Sequence, residues 1–309
     1  MRIVTRPDFD GVVCAVLLRE ALDADLPILW AEPGDMQQGG VDVQTGDILA
    51  NLPFHDSCAM WFDHHYSNVP ARPFEGVFEM APSAAGLIYR YYADRLRTDF
   101  DELIRQTDKI DAAALSEDEV QFPENYPHVL LSMTVSGRNP DDEPYWNRLV
   151  ELLRSGTIEA TMADPDVKRR CQLVVDENRA YRDYLRQYTQ VKGVVAVTDF
   201  RPLDETPRGN RFLVYSMFPE TVVQMKIRLA DRDRDKVIVS LGHSIFNRNC
   251  RVNVGALLSG YNGGGHPGAG SCSFHVRHSD DHIRAILDVL MRNEPVEEAR
   301  PEGGDRPAS

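Results

Sequence analysis

A short apolar run at residues 59–62 ends directly in three ionisable side chains, Asp63, His64 and His65. The run has the length of a buried strand, and ionisable groups at its mouth are unfavourable unless something compensates them. Carboxylate and neutral imidazole are ordinary ligands of divalent metal ions. The tripeptide therefore favours an α/β sheet with a metal site at a strand end, although many Asp-His pairs in such places are simply hydrogen-bonded.

Two more clusters lie after, or close to, strand-like runs. Asp8 and Asp10 follow the first β-branched run, and residues 263–266 read Gly-Gly-Gly-His near the far end. Ligand sites in open α/β sheets are expected just beyond the strand ends. In a turn that leaves a strand, the two acids can face one ion, but they also suit the first turn of a helix.

Three single acids are weaker candidates. Asp47 is predicted to end a strand, where capping would explain it equally well, and Asp108 and Asp111 would by default be surface acids. The candidate ligands together are five carboxylates and one imidazole: Asp8, Asp10, Asp47, Asp63, His64 and Asp108. This set suits Mn²⁺, or less strictly Mg²⁺, rather than structural zinc. Two such ions about 3.5 to 4 Å apart can promote displacement at phosphorus.

The glycine-rich segment 263–271 is the second strong signal. Consecutive glycines expose backbone N–H groups that can surround an anion, and His266 adds a side-chain donor. The alternative is a flexible hairpin loop. No Gly-Lys-Ser/Thr follows, so the segment is not a Walker loop.

Strand-like runs alternate with helical patterns in the first part of the chain, which predicts a mostly parallel sheet flanked by helices. Ser83 is predicted to cap a helix. The charged stretch at 164–190 suits a helix that bridges two domains. The later strand-like runs are 193–198, 212–217, 221–229, 236–241 and 272–276, followed by a helix at 281–291. We predict domains at 1–155 and 191–293, a helical linker at 156–190 and a disordered tail at 294–309.

Composition restricts the partners. The net charge is −14, with 48 acidic and 34 basic residues, which argues against long nucleic acids as partners. No apolar run reaches the roughly 18 to 20 residues that span a bilayer, and the N-terminus lacks a signal-peptide pattern. The five cysteines are far apart, as expected for free thiols in a reducing compartment. We therefore expect a cytoplasmic protein with no membrane association.

These segments together resemble the DHH phosphoesterase superfamily, in the branch with a C-terminal DHHA1 domain. That group includes RecJ-type exonucleases, nanoRNases, cyclic-dinucleotide phosphodiesterases and exopolyphosphatase-related proteins, and the opening of this chain looks most like the last of these. The resemblance extends to about residue 292. It implies an α/β fold, with a mostly parallel catalytic sheet, a linker helix and a smaller α/β domain with a mixed sheet.

The resemblance also implies roles for individual residues. The candidate ligands would surround two Mn²⁺ ions, with Asp47 bridging them and Asp63 orienting its neighbours as much as ligating. His65 would face a substrate phosphate, and Asp111 is the alternative to Asp108. The implied substrate-binding residues are His65, Gly264, Gly265 and His266, with Arg248, Asn249 and Arg6 as weaker candidates.

One position departs from the family pattern. Many members have a metal-binding His four residues before the first acid, where this chain has Val4, so one ion is expected to bind weakly. We predict a Mn²⁺-dependent phosphoesterase acting on short nucleotides. The alternatives are a polyphosphate or pyrophosphate hydrolase and a weakened, nucleotide-sensing protein. The expected partner is a small phosphorylated substrate, and the resemblance hints at a homodimer.

Overall fold

The computed structural model describes residues 1–70, 72–231 and 233–295. The chain divides into two compact units, Met1–Val175 and a second that begins at Asp176. Most of the predicted tail, 294–309, lies outside the described residues. The predicted domain boundaries stay a prediction.

The first unit is built on a five-stranded parallel sheet with strand order β2-β1-β3-β4-β5. Its strands are β1 (Ile3–Thr5), β2 (Ile28–Trp30), β3 (Ile48–Ala50), β4 (Met60–Asp63) and β5 (Glu75–Phe78). Its helices are α1 (Phe9–Ala21), α2 (Pro33–Gln37), α3 (Ala84–Tyr91), α4 (Asp101–Asp111), α5 (Glu117–Gln121), α6 (Pro127–Met133), α7 (Glu143–Ser155) and α8 (Ile158–Ala163). α9 (Pro165–Tyr188) follows and carries the chain into the second unit.

Both faces of the first sheet are covered, because successive strand residues point to opposite sides. Ile3, Ile48 and Phe62 belong to a core shared with α1, α3 and α7. Their neighbours Val4 and Trp61 belong to a smaller core on the other face. Since β1, β3 and β4 run in parallel, their carboxyl ends meet at one edge, and the loops that carry the polar clusters start there.

The second unit contains a six-stranded mixed sheet with strand order β10-β11-β9-β8-β7-β6. The elements are β6 (Thr189–Lys192), β7 (Val195–Asp199), α10 (Leu213–Met217), β8 (Val223–Ala230), β9 (Asp233–His243), α11 (Val254–Ser259), β10 (Gly264–His266), β11 (Ala269–His275) and α12 (Ser279–Arg292). Only β7 and β8 pair in parallel. The predicted fold class is confirmed.

Two details differ from the sequence prediction. Residues 212–217 were expected to form a strand, but they contain the whole of the short helix α10. The expected strand end at Asp47 is also wrong, because β3 starts one residue later at Ile48. Ser83 caps α3 as expected, since its side chain accepts a hydrogen bond from the Gly86 N–H. No helix in the described ranges is long and apolar enough to cross a membrane.

Candidate metal centre

Asp10, His64 and Asp111 converge at the carboxyl edge of the first sheet. One ligand atom of each lies within 4.8 Å of those of the other two, and this is the one such acid, imidazole or thiol group among the described residues. Asp10 lies in the first turn of α1, His64 directly follows β4, and Asp111 ends α4. Three elements distant in sequence therefore bring their side chains to one point.

Asp10 is held rigidly in the interior. Its residue is 1% exposed, and its two oxygens accept hydrogen bonds from the Ala84 and Ala85 N–H groups at the start of α3. A helix N-terminus favours the negative charge. Burial nevertheless raises the pKa of Asp10 to about 7, and the charge of Asp8 acts in the same direction.

His64 presents an unpaired nitrogen to the two acids. Its Nδ1 is 2.9 Å from the carbonyl oxygen of Ala81, and a carbonyl only accepts, so the proton lies on Nδ1. Nε2 is buried and makes no hydrogen bond. It lies 3.3 Å from Asp111 Oδ2 and 3.8 Å from Asp10 Oδ2. A lone pair that faces two ionised carboxylates is repelled unless a proton or a metal cation lies between them.

Asp111, the last residue of α4, is the third member of the group. Its side chain is 29% exposed, so solvent reaches part of it. Desolvation, followed by the charges of Asp10 and Asp8, raises the pKa of Asp111 to about 7. A bound cation would reverse this repulsion, because it offsets the clustered negative charge.

Asp63 and His65 form a separate pair beside the group. His65 Nδ1 donates to Asp63 Oδ1 at 2.8 Å, and Asn68 Nδ2 donates to Asp63 Oδ2 at 2.7 Å. Asp63 is fully buried, whereas the His65 side chain is 28% exposed. The hydrogen bond from Asp63 raises the pKa of His65. Asp63 therefore orients His65 and keeps its ring positively charged to higher pH.

Asp8 lies next to the group but has its own partners. Oδ1 accepts from the Gly11 N–H at 2.8 Å and from Asn51 Nδ2 at 3.0 Å. Oδ2 lies 3.2 Å from Arg6 Nη1, and Arg6 Nε lies 3.5 Å from Glu32. Asp8 is also the N-cap of α1.

Two predicted ligands lie elsewhere. Asp47 precedes β3, so it lies at the opposite, amino edge of the sheet, where Arg2 donates two hydrogen bonds to its carboxylate. Asp108 accepts a hydrogen bond from the Ser83 hydroxyl at 2.5 Å. Asp47 therefore lies outside the Asp10, His64 and Asp111 group, and Asp111 rather than Asp108 belongs to it. The ligand assignment stays a prediction. The sequence prediction missed Asn51, which follows β3 at the edge where an acid was expected.

The glycine-rich segment forms an antiparallel hairpin of β10 and β11 at the edge of the second sheet. The backbones approach so closely that a Cβ at Gly265 would lie 2.2 Å from the carbonyl oxygen of Ala269. Gly264, Gly265 and His266 are exposed. Arg248 is exposed in the loop after β9, where its Nε donates to the carbonyl of Ile245.

Among solved structures, the pGpG-specific phosphodiesterase PggH from Vibrio cholerae is similar over nearly the whole chain. It shares 28% identity with a TM-score of 0.83, and the match covers 94% of this chain and 99% of that one. The motifs and the converging ligands agree with this likeness. The chain is similar to the DHH/DHHA1 phosphoesterase superfamily.

Other solved structures share the fold at lower identity. An exopolyphosphatase-related protein from Bacteroides fragilis has 12% identity and a TM-score of 0.53, with 94% of this chain and 92% of that chain covered. The exonuclease RecJ of Thermus thermophilus, solved with Mn²⁺, has 13% identity and a TM-score of 0.57, with 96% of this chain and 53% of that chain covered. No protein-family model and no curated protein matches the sequence.

Proposed function

We propose that the chain is a metal-dependent phosphodiesterase that hydrolyses short linear nucleotides, with pGpG as the first candidate substrate. The observation that carries the metal requirement is His64 Nε2, which is buried, without a hydrogen bond and flanked by Asp10 and Asp111. The substrate class follows from the likeness to a pGpG-specific phosphodiesterase along nearly the full length of both chains.

Asp10, His64 and Asp111 would hold the ion. The orphaned Nε2 and the two adjacent carboxylates fit a divalent cation that accepts mixed oxygen and nitrogen ligands, and Mn²⁺ is the first choice. The Ala81 carbonyl orients the imidazole through Nδ1, as outer partners of metal-binding histidines commonly do. Bound there, the ion would act as a Lewis acid toward a phosphoryl oxygen.

His65 would contact the phosphate directly. Asp63 engages Nδ1, so Nε2 is the nitrogen that can donate a proton or a hydrogen bond to the substrate. Because the pKa of His65 is raised, its ring stays protonated to higher pH, and the protonated ring can stabilise the negative charge developing on phosphate oxygens. Asp63 acts through His65 as a positioning residue.

Short substrates agree with the charge of the chain. A net charge of −14 disfavours a long polyanion, whereas a dinucleotide carries few phosphates to repel. We also propose that Gly264, Gly265 and His266 bind the nucleotide. All three residues are exposed, so a nucleotide can reach them.

The test is turnover of pGpG by the full-length protein after its metals are removed with a chelator and Mn²⁺ is added back. We expect release of GMP with Mn²⁺ and none in the chelator. Asp10→Asn and His64→Ala should abolish turnover. Asp47→Asn is the matched control, because it makes the same chemical change at the opposite edge of the sheet and should leave turnover within about threefold of the original.

A parallel panel of polyphosphate, pyrophosphate and a cyclic dinucleotide separates the alternatives. Faster turnover of polyphosphate than of pGpG would support the phosphoanhydride-hydrolase alternative instead. Tight binding of pGpG without GMP release at saturating Mn²⁺ would overturn the enzymatic proposal in favour of a nucleotide sensor.

A further inference from the structure

We propose that this centre takes one divalent ion, not two, and that the Arg6 guanidinium beside Asp8 supplies the second positive charge. The inference rests on the proposed function, because it concerns the same site. It departs from the two-ion expectation that the sequence resemblance raised. Its basis is the contrast between the Asp10, His64 and Asp111 group, which is incomplete, and the Asp8 carboxylate, whose two oxygens already have partners.

The Asp10, His64 and Asp111 group is incomplete. The His64 side chain is 10% exposed, and its Nε2 has no hydrogen-bond partner although two carboxylates lie within 4 Å. Buried polar atoms in folded proteins are nearly always paired, so an unpaired one aimed at two carboxylates marks the place of a missing cation.

The Asp8 carboxylate, by contrast, is satisfied. Oδ1 accepts two hydrogen bonds, from the Gly11 N–H and the Asn51 amide, and Oδ2 is paired with Arg6. A carboxylate with donors on both oxygens and a cation at 3.2 Å gains little from a further ion. Like-charge repulsion from the guanidinium would also oppose that ion.

The backbone explains why Val4 and Asp47 supply no ligand beside Asp8. Val4 is fully buried in β1, and its side chain belongs to the core on one face of the sheet. Asn51 occupies the position after β3, and Asp47 points to the opposite edge. Across the described ranges, no second cluster of acids, imidazoles or thiols has the spacing of a metal site.

A second ion would require two changes. It would have to displace Arg6 from Asp8, and the Asn51 amide would have to turn so that its oxygen, rather than Nδ2, faced the ion. A neutral amide oxygen is also a weaker ligand than the carboxylate that the two-ion arrangement needs. Both changes break contacts that Asp8 makes, and the only ligand gained is the neutral Asn51 Oδ1, which is itself buried without a hydrogen bond.

Arg6 is well placed to do chemistry in place of that ion. Its side chain is 37% exposed, so part of the guanidinium can reach a phosphate while Nη1 stays on Asp8. Guanidinium groups bind phosphate oxygens through paired hydrogen bonds and stabilise charge on a transferring phosphoryl group as metal ions do. We therefore assign Arg6 as a phosphate-binding residue.

The first test is metal stoichiometry of the full-length protein. The chelator-treated chain is equilibrated with Mn²⁺, bound metal is measured by equilibrium dialysis, and the bound Mn²⁺ is examined by electron paramagnetic resonance. We expect one ion per chain and the spectrum of an isolated Mn²⁺. Two ions with an exchange-coupled spectrum would overturn the inference and leave the proposed function standing. No bound ion would overturn the proposed function itself.

The second test changes the two residues that exclude the second ion. Arg6→Gln combined with Asn51→Asp places a carboxylate after β3 and removes the competing guanidinium, so the stoichiometry should rise from one to two. Asn51 has a φ of +57°, a conformation that Asp also tolerates. Arg2→Gln is the control, because it breaks an Arg–Asp pair at the opposite edge and should leave one ion.

The single variant Arg6→Gln isolates the phosphate contact. Loss of one charge-assisted pair should raise the KM for pGpG by about tenfold or more while the Mn²⁺ affinity stays unchanged. An unchanged KM would overturn the phosphate-binding role. A double variant that still binds one ion would show that Arg6 and Asn51 do not set the stoichiometry.

Discussion

At the scale of the residue, the three adjacent ionisable side chains Asp63, His64 and His65 have different contacts. His64 turns toward Asp10 and Asp111, His65 turns toward solvent, and Asp63 lies fully buried beneath them and holds His65. The difference comes from the backbone, since Asp63 still belongs to β4 and the two histidines lie beyond it. Equivalent substitutions in the three residues should therefore have different consequences.

Asp63→Asn tests the positioning role. The variant loses the negative charge beside His65 and keeps one acceptor oxygen for two donors, His65 Nδ1 and Asn68 Nδ2, so kcat for pGpG should fall about 100-fold. The Mn²⁺ affinity should change by less than about threefold, because the ligands remain. The two quantities are measured by initial rates at saturating metal and by titration calorimetry. A loss of Mn²⁺ binding equal to that of His64→Ala would instead make Asp63 a ligand.

Asp111 and Asp108 provide a matched pair on one helix. Asp111→Asn removes a carboxylate from the metal group, so the Kd for Mn²⁺ should rise by about 100-fold or more. Asp108→Asn changes a residue that pairs with Ser83 and should alter the Kd by less than about threefold. Titration calorimetry on both variants measures the difference. The reverse order would restore Asp108 as the ligand.

The limit of the sequence prediction at this scale is a question of register. The segment from Asp47 to Asn51 has three apolar residues between two polar ones. From the sequence alone, either polar residue could be the one that lies at the carboxyl edge of the sheet. The pairing of Ile48 with Ile3 places Asp47 at the amino edge and Asn51 at the carboxyl edge. That pairing is a tertiary interaction, so the sequence alone does not determine it.

At the scale of the element, the site depends on how closely the first turn of α1 approaches the end of β1. A Cβ at Gly11 would lie 2.0 Å from the carbonyl oxygen of Arg6. The same glycine donates its N–H to Asp8, and Asp10 lies one residue earlier. The helix can therefore enter at this angle only with glycine at this position.

Gly11→Ala should consequently destabilise the first unit. The methyl group has no room against backbone atoms, so the free energy of unfolding should fall by about 1 to 3 kcal/mol. Gly34→Ala in α2 is the control, because its Cβ would find nothing closer than 4.0 Å and alanine favours helices. Urea denaturation of both variants measures the effect, and equal stabilities would contradict the assigned clash.

His128 in α6 makes stability depend on pH. Desolvation lowers the pKa of His128, so below an ordinary pKa of about 6.5 the unfolded chain binds a proton that the folded chain resists. Stability should therefore fall as pH drops below about 6.5. In His128→Gln the loss of stability between pH 7.5 and 5.5 should be smaller. An unchanged loss in denaturation measured at the two pH values would contradict this contribution.

Elements with a long pattern were predictable, and short ones were less so. The charged stretch that begins near residue 164 indicated the helix α9, and the capping serine indicated α3. Residues 212–217 are rich in strand-forming side chains, but a short apolar run does not distinguish a strand from a buried helical turn. α10 lies within such a run.

At the scale of the whole molecule, the alternation of strands and helices predicted an α/β chain with two sheets, and the structure contains a parallel and a mixed sheet in separate units. The polar clusters predicted the sheet edge that carries the site. The sequence did not identify the candidate ligands exactly, because they come from three distant segments. Asp111 of α4 lies beside His64 only in the folded chain. Composition contributed the preference for short substrates.

That preference predicts a dependence of rate on substrate length. With a net charge of −14, the chain should repel a longer oligonucleotide, so kcat/KM should fall by about tenfold or more from pGpG to a ten-residue strand. Added salt should narrow the gap, because it screens the repulsion. Rates at two salt concentrations test this, and a preference for the longer strand would contradict the prediction.

The most direct measurement of the central claim is anomalous X-ray diffraction at the manganese edge from crystals of the Mn²⁺-bound chain. The account predicts one strong peak within coordination distance of Asp10, His64 Nε2 and Asp111, with Arg6 still paired to Asp8. A peak bounded by other residues, or no peak at saturating Mn²⁺, would contradict it.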